Sequence, residues 1–94
     1  MSYFQLNDYT ALRITGENVN EFLQGQISSD IYESKHFKTL FCDEKGYVIT
    51  NATIILDKDA LIIVKTDIAK ILNDNLSKFN KFFKCRIQQE DIDV

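Results

Sequence analysis

The stretch from Gly16 to Ile31, GENVNEFLQGQISSDI, constrains the fold more than any other part of the chain. Val19, Phe22, Leu23 and Ile27 recur at i, i+3, i+4 and i+8, the spacing at which a 3.6-residue period lines up one face, while Asn20, Glu21 and Gln24 point away. The stretch therefore reads as a short amphipathic helix with one buried face, entered from a strand. Thr15 and Gly16 can supply the turn into it, and Glu17 in the first turn suits the positive end of the helix dipole. Gly25 is either a left-handed stop or a close-packing residue. Ser28, Ser29 and Asp30 favour local bonds to the backbone, so the helix should end there and lead into a loop through Lys35.

The flanking residues alternate as strands do. Tyr3, Phe4 and Leu6 precede a turn at Asn7 and Asp8, and Tyr9 to Thr15 follows as a strand with Leu12 and Ile14 on one side and Ala11 and Arg13 on the other. A strand from Phe37 to Cys42 leads into Asp43-Glu44-Lys45-Gly46, a hairpin signal: Asp bonds the backbone two residues on, and Gly46 tolerates a positive φ. The partner strand runs from Tyr47 to Leu56, and its run Thr53, Ile54, Ile55 and Leu56 suggests burial on both faces at that end. Asp57-Lys58-Asp59 turns the chain into Ala60 to Val64, completing a three-stranded meander. Thr66 or Asp67 caps a second helix, with Ile68, Ile71, Leu72, Leu76 and Phe79 as its apolar stripe and an end near Phe79. A closing strand from Phe82 to Gln88 sets Phe83, Cys85 and Ile87 against Lys84, Arg86 and Gln88. The order β-α-β-β-β-α-β predicts an α+β fold, a mostly antiparallel sheet with the helices on one face.

Composition bounds the function. The 94 residues are 45% hydrophobic and 12% aromatic, enough for one modest core. No Pro and three Gly leave no linker, so residues 1–94 read as a single domain. A net charge of −3 argues against a surface built to neutralise phosphates, and no direct nucleic-acid binding is expected from this segment. No apolar run approaches the ~18 residues of a membrane span, nor is there a signal-peptide pattern, so a cytoplasmic protein is expected. Cys42 and Cys85 lie far apart, without zinc or redox spacing, and read as reduced, partly buried thiols. His36, the one histidine, reads as a loop residue before a strand rather than a metal ligand or base. Lys78, Lys81, Lys84 and Arg86 form a basic cluster that suits the solvated side of a helix end and an edge strand, with anion binding as the alternative. Arg13 either faces water or, turned inward, clamps a carboxylate.

Four stretches, LNDY at 6–9, ITGENVNEFLQGQISSDI at 14–31, CDEKGYVITN at 42–51 and KFFKCRI at 81–87, resemble in order and spacing the N-terminal part of the folate-binding YgfZ proteins. These are relatives of the aminomethyltransferase (T-protein) of the glycine cleavage system. The resemblance implies that the chain is the N-terminal portion of a longer folate-binding accessory protein, serving iron–sulfur enzyme maintenance and tRNA modification. In the aminomethyltransferase branch, the strand after the turn glycine carries two adjacent acidic residues, one of them needed for transfer. Thr50 and Asn51 stand there in this chain, as a small hydroxyl residue and Asn do in the YgfZ branch. Neutral groups can hydrogen-bond a pterin but cannot act as an anionic base, so no catalytic residue is expected in this segment.

Tyr9 falls where the family has an aromatic residue against folate, and its face could stack on a pterin. From the residues alone, a Tyr opening a strand more often simply packs at the sheet edge, and Asn51 could equally face solvent. Tetrahydrofolate or a related folate is thus the implied cofactor, with Tyr9, Thr50 and Asn51 as its binding residues, and binding by this segment alone should be weak or absent because later parts of the family's chains complete the pocket. The implied partners are the remaining domains of the full-length protein and iron–sulfur or tRNA-modifying enzymes. The family's K-G-C-x-x-G-Q-E segment does not occur in these residues, and neither Cys42 nor Cys85 inherits its cysteine's role. Two alternatives stand beside this: a fragment of a tetrahydrofolate-dependent aminomethyltransferase, or a ligand-free interaction module presenting an exposed apolar face.

Overall fold

A computed structural model describes residues 9–32 and 34–91. The aromatic opening and the turn expected at Asn7 and Asp8 lie outside the described residues. The elements follow the expected order: β1 (Tyr9–Gly16), α1 (Val19–Gln24), β2 (His36–Cys42), β3 (Val48–Leu56), β4 (Ala60–Lys65), α2 (Thr66–Leu76) and β5 (Cys85–Asp91), with a 3-10 turn at Asn80–Phe83. They form one five-stranded sheet in the order β2-β3-β4-β1-β5, antiparallel at every pairing.

The two-residue period of each strand sorts its side chains onto two faces, and paired residues share a face. Leu12 pairs with Ile62, and Ile62 with Ile54, all three fully buried. With Ile14, Phe41 and Val64 they meet Phe22 and Leu23 of α1 and Ala69, Leu72 and Leu76 of α2 in a single core. Burying each large side chain contributes roughly 1.5–3 kcal/mol, so this face dominates stability. At the β2–β3 hairpin, Asp43 Oδ1 accepts hydrogen bonds from the amides of Lys45 and Tyr47, each at 2.9 Å, and Gly46 has φ +88°. No helix among the described residues is long and apolar enough to cross a membrane.

Several boundaries differ from the sequence expectation for identifiable reasons. Helix α1 stops at Gln24, whose side chain accepts from the Ile31 amide and donates to the Ser29 carbonyl, both at 2.8 Å, and so holds the loop in place of another turn. Gly25 is right-handed, with φ −74°. Ile27 is buried by bridging to Phe41 rather than by a helical stripe. In α2, Ala69 takes a buried position while Ile71 is 56% exposed, and the helix ends at Leu76. Lys84 adopts a left-handed conformation, φ 56°, so β5 begins only at Cys85 and Phe83 packs from the 3-10 turn onto Phe22 with ring centroids 5.6 Å apart. The burial expected on both faces at Thr53–Leu56 is corrected: both helices lie on one side, leaving Thr53 and Ile55 half-buried on the other.

Gly16 belongs to β1 rather than to a turn, and of the three glycines it is the one the backbone approaches most closely. It pairs with Cys85 at φ +140°, and a Cβ there would run into the Lys84 carbonyl oxygen and lie 2.8 Å from the Cys85 Cα. Gly16→Ala should therefore destabilise the protein by about 2–4 kcal/mol, a fall in Tm of very roughly 10–20 °C. Gly25→Ala, whose Cβ would meet nothing nearer than the Phe22 carbonyl at 3.7 Å, should be neutral or stabilise by up to about 1 kcal/mol. Thermal melts of the two variants side by side check both, and equal Tm values would refute the strain at Gly16.

Candidate functional site

The sheet face away from the helices carries Tyr9, Ala11 and Arg13 from β1, Leu61, Ile63 and Lys65 from β4, Asn51, Thr53 and Ile55 from β3, and Lys38 from β2. Tyr9 lies opposite Lys65, while Lys38 faces Thr53 and Thr53 faces Ile63, so two neighbouring rows of side chains meet at one end of the sheet. Between them opens a cleft of about 230 Å³ lined by Tyr9, Lys38, Asn51, Thr53, Ile63 and Lys65, with Ala52 and Val64 completing its floor. An aromatic face, an amide, a hydroxyl, an aliphatic floor and two ammonium groups suit a flat, partly polar ring bearing negative charge.

Of the residues singled out from the sequence, Tyr9 and Asn51 both line this cleft and Thr50 does not. Adjacent strand residues point to opposite faces, so Thr50 pairs with buried Phe41 on the helix side, and its hydroxyl donates to the Asn51 carbonyl at 3.0 Å. The expectation that Thr50 and Asn51 share one pocket is corrected accordingly. Lys38 and Lys65 escaped notice in the sequence because they belong to strands that are not neighbours, and only the strand order joins them. Neither forms an ion pair among the described residues.

Elsewhere on the open face, Arg13 is engaged by the chain's own carboxylates. Arg13 donates through Nε to Glu90 Oε2 at 2.8 Å and through Nη2 to Oε1 at 3.2 Å, while Nη1 lies 3.5 Å from Asp59 Oδ2. The hydrogen bond and charge of Arg13 hold the Glu90 carboxyl below the usual glutamate range, and the same contacts raise the guanidinium. Arg13 is thus a carboxylate clamp, but for the chain's own Glu90. Within the basic cluster, Lys78 is 3.8 Å from Glu44 and Lys84 is 4.0 Å from Glu17. Cys42 and Cys85 are both free thiols, and burial pushes the Cys85 thiol up, away from the thiolate a nucleophile needs. His36 opens β2, exposed. Among the described residues no three His, Cys, Asp or Glu side chains gather as a metal site.

No family model matches the chain. Its sequence is 26% identical over 95 aligned positions to the tRNA-modifying protein YgfZ of Shigella dysenteriae serotype 1, covering 97% of this chain and 29% of that protein. The tRNA-modifying protein YgfZ of Escherichia coli strain SE11 matches with the same identity and coverage. The chain thus spans less than a third of the length of these relatives. Among solved structures, the glycine cleavage system aminomethyltransferase T from Bartonella henselae superposes with a TM-score of 0.80 at 13% identity, over 92% of this chain and 25% of that one. In sequence the chain is YgfZ-like; in fold it matches part of an aminomethyltransferase.

The Arg13–Glu90 clamp makes stability depend on pH. A carboxyl whose folded value is depressed adds stability above its unfolded value, about 4.3 for Glu, and that stability is lost as pH falls through the lowered folded value. In thermal melts from pH 7 to 3, the wild type should exceed Glu90→Gln in Tm at pH 7, and the gap should close below about pH 4. A gap independent of pH would refute the clamp.

Proposed function

We propose that this chain is a portion of a longer, cytoplasmic, folate-binding accessory protein of the YgfZ kind, with the cleft at Tyr9 and Asn51 contributing to its tetrahydrofolate site. The observation that carries the proposal is that Tyr9 and Asn51, far apart in sequence, line one cleft whose lining also supplies an aliphatic floor and two cations. Tyr9 offers a ring face for stacking on the pterin or aminobenzoyl group, at about 1 kcal/mol beyond area burial, and Asn51 an amide for the ring's polar edge. Lys38 and Lys65 offer charge for the glutamate carboxylates. Folate, when bound, supplies a one-carbon carrier; the residues of this segment bind and orient it.

The cleft, about 230 Å³, suits one ring system rather than a whole folate, which agrees with a pocket finished by the rest of a longer protein. Asn51 is neutral and Thr50 faces away, so this segment offers the cleft no anionic base at the position where the aminomethyltransferase branch carries its acidic pair. That favours an accessory role in iron–sulfur enzyme maintenance and tRNA modification over transfer chemistry, with enzymes of those processes as protein partners. The interaction-module alternative draws on a different observation: Ile55, Leu61 and Ile63 lie half-buried on the open face, a surface apt for another domain.

Calorimetric titration of the full-length protein with tetrahydrofolate tests the proposal. Tyr9→Ala and Asn51→Ala should each weaken saturable binding by about 1 kcal/mol, some 5-fold, and Thr50→Ala should leave it unchanged. Absence of binding by the wild type would overturn the folate assignment, and wild-type affinity in both cleft variants would remove the ligand from this cleft.

A further inference from the structure

We infer that the groove between the β2–β3 hairpin and α2 binds an extended segment of a partner protein, one that presents a large apolar side chain between residues of opposite charge. The groove shares no residue with the cleft, so it stands independently of the folate proposal. It measures about 410 Å³, between Glu44, Lys45 and Ile49 of the hairpin and Ile71, Asp74 and Asn75 of the helix. Asn75 carries the argument. It occupies the core side of α2, three residues after fully buried Leu72 and next to Leu76, and is only 6% exposed. Its Nδ2 nevertheless has no hydrogen-bond partner among the described residues. A buried donor without an acceptor costs stability that an aliphatic side chain at the same position would keep, and such departures gather where a protein binds something. A main-chain carbonyl of a peptide lying in the groove supplies the missing acceptor.

The walls add apolar surface and charge. Alternation would set Ile49 on the open face with Asn51, but Thr50 pairs with Phe41 and Val48 with Cys42, so Ile49 falls in a bulge outside the ladder and borders the groove opposite α2. Ile49 is half-buried and Ile71, on the other wall, is 56% exposed. An aliphatic side chain seated between them buries surface that both leave to water. Glu44 Oε1 already lies 3.8 Å from Lys78 Nζ, whereas Lys45 and Asp74 form no ion pair among the described residues. Free charges of opposite sign on opposite walls match a ligand that carries both signs. In an extended peptide, residues at i, i+2 and i+4 share a face, so an acid, an apolar residue and a base at that spacing meet the groove together.

The test is fluorescence anisotropy of the full-length protein with fluorescein-labelled Glu-Ala-Leu-Ala-Arg and its reverse, Arg-Ala-Leu-Ala-Glu, beside the same two peptides with Ser in place of Leu. One charge order should bind saturably, and its Ser counterpart about 10-fold more weakly. Ile71→Ser, at an exposed position, should weaken binding about 5-fold or more without unfolding the protein. Asn75→Leu should raise Tm by about 2–4 °C, because it removes the orphaned donor, and yet weaken binding about 5-fold or more. Saturable binding of neither peptide, or equal binding of the Ser peptides, would overturn the inference. So would wild-type affinity in Asn75→Leu, which would make the amide a packing defect. Self-association of the wild type that Ile71→Ser abolishes, with no peptide bound, would overturn it in favour of a second copy of the chain as the occupant.

Discussion

Strand β1 is bonded on both sides, to β4 and to β5, and its alternation divides the molecule in two. Leu12 and Ile14 go to the dry face, where α1 and α2 cover them; Tyr9, Ala11 and Arg13 go to the open one. A one-residue slip would exchange the two sets, putting a guanidinium under the helices and two large aliphatic side chains into water. The loss of apolar burial and the desolvation of Arg13 would both oppose that slip, so register, core and cleft are fixed by the same alternation. Tyr9, Lys38, Asn51, Thr53, Ile63 and Lys65 reach the cleft because they occupy the strand positions that alternate with the core.

A second constraint ties the beginning of the fold to its end. Gly16, the last residue of β1, accepts the close passage of Lys84 and Cys85. Around it, Asn18 Nδ2 donates to the Phe83 carbonyl at 3.2 Å and Asn80 Nδ2 to the Cys85 carbonyl at 2.8 Å, while Phe83 leans on Phe22. Helix α1 is only six residues long, too short to be stable alone, and depends on these contacts from residues more than sixty positions later. The order in which elements occur is local information; the docking of α1 is not.

Polar groups on the open face divide by function. Arg13, Glu90 and Asp59 neutralise one another across β1, β5 and the turn before β4, serving the sheet. Lys38 and Lys65, with Tyr9 and Asn51, remain turned toward the cleft. A sequence read for clusters finds Lys78, Lys81, Lys84 and Arg86 first, yet two of these pair with nearby glutamates at the surface. Proximity along the chain and proximity in space select different cations here.

The amino-acid sequence by itself determined the element types and their order, the Asp43–Gly46 hairpin, the faces of β1, and the placing of Tyr9 and Asn51 as candidates. All but the last rest on short-range physics, a two- or 3.6-residue period or a turn residue's own hydrogen bonds, and the last on resemblance to a known family. Tertiary structure decided that α1 stops at Gln24, that Ile71 is exposed while Ala69 is buried, and that β5 starts only after a left-handed Lys84. It also decided that Thr50 turns away from the cleft and that Lys38 and Lys65 border it, because those outcomes depend on strand order and on which face the helices cover. Periodicity fixes which residues share a face, but only long-range packing fixes which face is dry and which strands lie side by side.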